Sequence, residues 1–474
     1  MHKARLNKLQ SNLTHIDPAM RRSAAEGLAE GDERAIYPLI KALRDENFGV
    51  QDAAMRSLMS IKNETTAYMI LPLLRESALL RNTALIILKE MGKIAVPLLY
   101  ILLDDRDDDV RKFSLDLIHD IQYCNYPEKI VELLTGDHNV NVRAAAAKTL
   151  GTLQYKKAIP QLIEALSDEE WVSFSALEAL TSMHEDESID AILNLLKNPS
   201  ETIRFAAIES LGEIRSSKAT EPLVKHIAKA KDYEKIAAIK SLIEIGPVPS
   251  LPDISDALME VLNGEDIENK LIAVKGLASI KYENAIKPII DLAGSLDISD
   301  PDNEEILHSL RNALQSYGCS KHLINILKDQ TVKFRGKVMA IEIVGDLKCA
   351  SAVSMLIDLL NSEYRDVRRS SINSLGKIES EESTECLIEA ISDHDSHVRK
   401  SAVSSIGKIG DMSAFEPLIT MLHHEKYSDV IDEFIIAIMS INSKLFFDRI
   451  NEFDSNIRER ASRYESSFDV EASC

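Results

Sequence analysis

The 474 residues are enough for several globular domains or one extended array, and they are 45% hydrophobic but only 5% aromatic. A formal charge of −21 argues against a whole-molecule binder of nucleic acid or anionic membrane, because phosphate binding needs positive charge. Only 17 glycines and 14 prolines, against abundant Ala, Leu, Ile, Glu and Lys, favour an all-helical protein.

The five cysteines (Cys124, Cys319, Cys349, Cys386 and Cys474) form no CxxC pair and are odd in number, the usage expected in a reducing compartment rather than of a disulfide framework. The opening MHKARLNKLQSNLTHID contains no apolar core of a secretory signal. The longest apolar runs, such as Val96–Leu103, fall far short of the roughly 20 residues of a membrane span. A soluble, cytoplasmic protein without membrane insertion is expected.

Taken in order, the chain repeats itself. The phrase apolar-Arg-x-x-Ala-x-x-x-Leu occurs at Met20-Arg21, with Ala24 and Leu28, then at Val50-Gln51, Leu80-Arg81, Val110-Arg111 and Val142-Arg143. It continues at Val172-Ser173 and Ile203-Arg204, weakens at Lys235, Lys270, Leu307 and Arg335, and sharpens again at Val367-Arg368 and Val398-Arg399. It fades at Val430 and closes at Ile457-Arg458. A second phrase precedes each copy: AIYPLIKAL, AIPQLIEAL, ATEPLVKHI, AIKPIIDLA and AFEPLITML. The spacing of about 30 to 32 residues predicts roughly 15 helix pairs stacked as a solenoid.

The best-formed copy is Asp393–Leu422. Asp395 offers a carboxylate to the free N–H groups of a starting helix. Val398, Ala402 and Ile406 make one apolar stripe at helical spacing. Gly407 and Gly410 are expected where that helix ends, and Pro417 lies in the first turn of the next. With D-x-x-V-R-x-x-A-x-x-x-L-G phrases over Asp395–Gly407 and His138–Gly151, the units resemble HEAT repeats of the short type found in phycobilisome-lyase-like proteins. The resemblance implies an armadillo-like helical fold, all-α, a right-handed α-solenoid of about 15 HEAT-like helix pairs. Its lyase branch works on a bilin chromophore carried by a partner protein.

The period breaks once, over the proline-rich stretch 246–270 and the acidic loop 295–305. The expected organisation is an N-terminal array (1–245), an irregular segment serving as a bend or as a plain insertion (246–305), a C-terminal array (306–463) and a disordered tail (464–474).

Among residues with chemical potential, the arginine column comes first: Arg21, Arg81, Arg111, Arg143, Arg204, Arg368, Arg399 and Arg458. Each follows an acidic or amide residue, and stacking is expected to interleave them into a structural ladder, each Arg bonding a turn acid or carbonyl of the next unit. The His-Glu pairs that metal-dependent hydroxylases of this repeat class place at second-helix starts are absent from those starts; His184-Glu185 and His424-Glu425 lie near helix ends. His394, His397, His423 and His424 are expected as solvated turn residues rather than metal ligands. Asp105, Asp107 and Asp109 alternate as in a calcium loop but lack its glycine and distal glutamate. The basic run 225–240 reads as the solvated face of two helices. No catalytic residue, cofactor or metal is expected.

One column changes along the array. Two residues after the apolar start of each second helix, the chain reads Arg22, Asp52, Asn82 and Lys112, then Ala144, Phe174, Phe205, Ile236 and Leu271, and later Arg369, Lys400, Asp432 and Glu459. At about 100° per residue this position points away from the apolar stripe, toward what is the concave side in such solenoids. With Trp171, the five apolar members are either a partner-binding patch or packing between neighbouring repeats. The expectation is therefore a non-enzymatic scaffold holding a protein or peptide, with a bilin-lyase-like enzyme or auxiliary as the alternative and nucleic-acid binding weaker still.

Overall fold

A computed structural model describes residues 3–230, 232–249, 251–297 and 299–468. Among them are 29 α-helices and no β-strand, and no helix is long and apolar enough to cross a membrane. The chain divides into two compact units, up to Gly246 and from Pro247 on, each an all-α array of the solenoid type.

Within each unit a short first helix, such as Ile159–Ala165 or Phe415–Leu422, alternates with a longer second helix, such as Glu170–Met183 or Ser396–Ile409. Second helices pack side by side: Val140–Thr152 on Glu170–Met183 in the first unit, and Phe334–Asp346 on Arg365–Ile378 on Ser396–Ile409 in the second. An N-capping side chain starts many of them. Asp17, Asn47, Asp107, Asn139 and Asp395 each accept from an N–H two or three residues ahead, satisfying donors the helix cannot.

Counting from these caps exposes three devices joining neighbours. The first uses the residue four places after the cap. Arg111 donates from Nε to Asp137 Oδ2 at 2.7 Å and from Nη1 to the Asp105 carbonyl of its own turn at 2.8 Å. Arg368 does the same with Asp393 and the Ser362 carbonyl, both at 2.8 Å. The acid usually stands two places before the next cap. Equivalent rungs join Arg21 to Asp45, Arg143 to Asp168 and Arg399 to Glu425. Arg204 reaches instead to Glu234, on the next second helix, at 2.6 Å. Each guanidinium thus ties its own turn to the following unit.

Arg81 and Arg458 stand outside this pattern. Arg75 takes Asp105, so Arg81 is left 3.8 Å from Asp109 and over the Phe113 ring. Arg458 is exposed on the last helix described and makes no rung among the described residues.

The second device is a buried hydroxyl ten places after the cap. Ser57 donates to the Ala25 carbonyl at 2.8 Å, Ser241 to Ile208 at 2.8 Å, Ser374 to Ile341 at 2.8 Å and Ser405 to Ile372 at 3.0 Å, each across two second helices. The third is close backbone approach. Gly407 lies inside its helix, not at its end, and a Cβ there would come within 2.9 Å of Ala437. Gly410 ends the helix at φ 75°, where a left-handed residue favours glycine.

Two further expectations change. Cys319 and Cys349 form a disulfide, with Cα atoms 5.6 Å apart across a sequence separation of 30. The repeat period explains it: both follow left-handed residues (Gly318 and Lys348) at the same turn of successive pairs. Close spacing along the chain does not reveal a pairing set by the repeat length. At the C-terminus, the last helix runs Ser455–Phe468, so the expected tail from 464 is helical in its first residues; 469–474 lie outside the described residues.

Candidate functional site

The apolar column divides between the two units. In the first, Ala144 is buried at 3% exposure, against the neighbouring second helix. Phe174, Phe205 and Ile236 are half-buried. Ring contacts join this column to a neighbouring one. Phe174 stacks with Trp171 (centroids 6.4 Å apart, planes at 16°), and Phe205 lies against Tyr233 (5.8 Å, 52°). Trp171 remains 64% exposed and Tyr233 49%.

Tyr233 was missed by the sequence reading. It stands two residues after position 231 just as Trp171 stands two after Glu169, so aligning the starts of the two helices finds it. Its hydroxyl donates to Glu201 Oε2 at 2.6 Å, and that bond raises the phenol above its usual pKa. One helical turn beyond the aromatic column stand exposed Glu178, Glu209 and Lys240, on the same face by helical spacing. The face offers two aromatic pairs with charges along one edge.

Beneath it, Glu234 is buried between Arg204 and His226, whose Nε2 lies 3.0 Å away. Burial pushes the Glu234 carboxyl up, but the bonds from Arg204 and His226 outweigh it and hold the group below the usual range. The basic run 225–240 is thus partly neutralised from within, Lys225 also pairing with Glu221 at 2.6 Å.

Leu271 belongs to the second unit, where it lines an open groove of about 600 Å³ with Ile272, Ala278 and Ala313. The turn histidines serve other contacts: His423 stacks on Phe453 at 4.5 Å, and His394 Nε2 lies 3.3 Å from Arg368. Among the described residues no cluster of His, Cys, Asp and Glu has the geometry of a metal site. Asp105 and Asp107 accept from the N–H groups of Asp107 and Asp109, the bonds of a turn and a helix start.

The model of the family described as HEAT repeats matches residues 6–89, 95–181, 167–243, 320–389 and 353–439. The chain belongs to that family. Solved structures with a similar fold include a Kap95p described as binding RanGDP, 13% identical over 95% of this chain and 75% of that one with a TM-score of 0.49. Importin β in an ammonium sulfate condition is 12% identical over 98% of this chain and 76% of that one, with a TM-score of 0.46. Yeast importin-β (Kap95p) is 13% identical over 95% and 75%, with a TM-score of 0.43. No curated protein sequence matches the chain.

Proposed function

We propose that the chain is a non-enzymatic scaffold that holds an extended protein or peptide on the second-helix face of its first unit. The observation that carries this reading is the pair of aromatic contacts, Trp171 with Phe174 and Phe205 with Tyr233, whose outer rings stay in solvent. Large amphipathic rings held by their neighbours are the usual anchors of protein interfaces. An exposed aromatic row serves no purpose in the core of a unit whose second helices are already joined by buried hydroxyls and charged rungs. Half-buried Ile236 extends the apolar character of the column within this unit, whereas Ala144 is buried and lends it no surface. Glu178, Glu209 and Lys240 along the edge favour a partner with two basic groups followed by an acidic one beside its apolar anchors.

The test compares partners captured by the wild-type chain with those captured by a Trp171→Ala/Tyr233→Ala double variant. Because both rings are mostly outside the core, the variant should melt within a few degrees of the parent while losing its partners. An unchanged partner set, or a large fall in melting temperature, would sink the reading. The alternative of an enzyme or auxiliary resembling bilin lyases rests on the repeat phrase, and a chromophore bound in stoichiometric amount to purified protein would promote it.

A further inference from the structure

The repeat rule of a cation four places after the cap and an acid two places before the next cap meets an exception in the second unit. The helix Phe334–Asp346 follows Lys333, so its rung cation is Lys337 rather than Arg335. The next second helix, Arg365–Ile378, follows Tyr364, so the acid's place falls to Ser362. Local bonding confirms the register: the Tyr364 N–H donates to Ser362 Oγ at 3.3 Å, as the Asp395 N–H donates to Asp393 Oδ1 at 2.8 Å and the Tyr427 N–H to Glu425 Oε1 at 3.1 Å.

The outcome is a cation without its counter-charge. Four cations of this column are buried: Arg21, Arg111, Arg368 and Lys337. The first three hold Asp45, Asp137 and Asp393. The Lys337 side chain, in a residue 9% exposed, makes no hydrogen bond or ion pair among the described residues, and its nitrogen still reaches solvent. Burial lowers its pKa below the ordinary lysine value, and Asp329, the acid acting on it from a distance, is already held by Lys287 at 2.8 Å. Glu363, next to Ser362, is exposed and lies in no ion pair among the described residues. At one other junction a lost charge is matched: where the column reads Ser173, the acid's place reads Asn198, and Ser173 Oγ bonds the Leu166 carbonyl at 2.9 Å.

Lys337 and Ser362 also line the same open cleft of about 990 Å³. Its wall includes Lys333, Arg335, Thr331 and the stacked pair Phe334–Tyr364 (centroids 5.6 Å apart, planes at 8°). Asp358 and Glu363 are the carboxylates lining it, against three cations. An unpaired ammonium on a largely buried stem, in a cleft where Ser362 stands in the carboxylate's place and Thr331 adds a second hydroxyl, is a site for a negative group.

We propose that this cleft binds a compact organic anion, whose carboxylate or phosphate occupies in the Lys337 rung the place that Asp393 fills in the Arg368 rung. The inference does not rest on the partner-binding reading, which concerns the other unit.

The experiment titrates the full chain with acetate and, separately, with inorganic phosphate, each against chloride at matched ionic strength, reading melting temperature and the ammonium signal of lysine by NMR. The expected result is a rise in melting temperature specific to one or both anions, with a shifted Lys337 resonance. Acetate alone identifies a carboxylate ligand and phosphate alone a phosphorylated one. Lys337→Met should lose roughly tenfold or more in anion affinity. Ser362→Asp should melt higher than the parent without added anion and no longer respond to it, since the chain now supplies its own carboxylate. Wild-type protein that responds no more to these anions than to chloride overturns the proposal, as does Ser362→Asp responding like the parent. A response that emerges only with Glu363→Gln assigns the place to that internal carboxylate and equally overturns it.

Discussion

Two consecutive junctions of the second unit, built on the same plan, differ in one respect. Between the helices Arg365–Ile378 and Ser396–Ile409 the rung is complete, Arg368 with Asp393. Between Phe334–Asp346 and Arg365–Ile378 it is half made, Lys337 with Ser362 in the acid's place. Both junctions keep their buried hydroxyl, Ser405 to Ile372 and Ser374 to Ile341. A repeat fold separates what joins the units from what can be spared. The hydroxyl bond and apolar stripe persist where the charge pair is dropped, so the rung is an accessory that can be given up to make a cleft.

Removing the acid of the complete junction should have the largest effect. Asp393→Ala leaves Arg368 buried without its carboxylate and should cost about 3 kcal/mol, the usual consequence of orphaning one member of a buried pair. Ser362→Ala at the half-made junction removes no counter-charge and should cost under about 0.5 kcal/mol. Chemical denaturation of both variants measures the contrast; equal losses would mean that the rung contributes nothing beyond side-chain packing. Next in size is Ser405→Ala, which deletes a buried donor and should cost about 1 kcal/mol. Ser374→Ala should match it, because this device is the same at both junctions.

Acid should act through the complete rungs. Asp137, Asp393 and Glu425 are each pushed up by burial but held below the usual carboxylate range by the bonds and charge of Arg111, Arg368 and Arg399. Folded-state values below unfolded ones mean that this stabilisation is present above about pH 4 and lost as pH falls through the folded values. Stability measured down a pH series should drop in that range for the parent and less for Asp393→Asn. An identical fall in both would remove Asp393 from the account.

Much of this was legible in the residues, and what was not has a physical cause. The period, the Asp395 cap and the positions of Arg111, Arg368 and Arg399 follow from local spacing, which one helix imposes on its own side chains. The hydroxyl bonds went unread because Ser57 and Ser405 look like ordinary helix serines until a neighbouring carbonyl arrives. Gly407 was read as a helix end, since a close approach to Ala437 leaves no trace in the local sequence. Lys337 hid behind Arg335: in the phrase KFRGK the more obvious cation lies two residues early, and Gly336 removes the apolar residue that marks the register elsewhere. The cysteine pair needed the period to be applied to Cys319 and Cys349 as it was to the arginines. Tyr233 needed the column two places after the cap to be aligned as the others were.

The smallest expected effect is at Lys337 itself and has the opposite sign from the rungs. Burial of its side chain without a partner lowers the folded pKa below the ordinary lysine value of 10.5. In the window between the folded and unfolded values, the unfolded chain binds more protons, and stability rises with pH. Below that window the charged lysine is a standing cost that Lys337→Met removes, because an apolar side chain of similar length loses no hydration on burial. Lys337→Met should therefore be neutral to slightly stabilising at neutral pH in chloride, with the difference shrinking as alkali discharges the parent's lysine. Asp393→Ala shows what an arginine left alone costs, whereas Lys337→Met asks whether the chain already bears such a cost at the cleft. A clear loss of stability in that variant at neutral pH would mean that Lys337 is well served where it stands, and the difference between the two junctions would then lie in packing rather than charge.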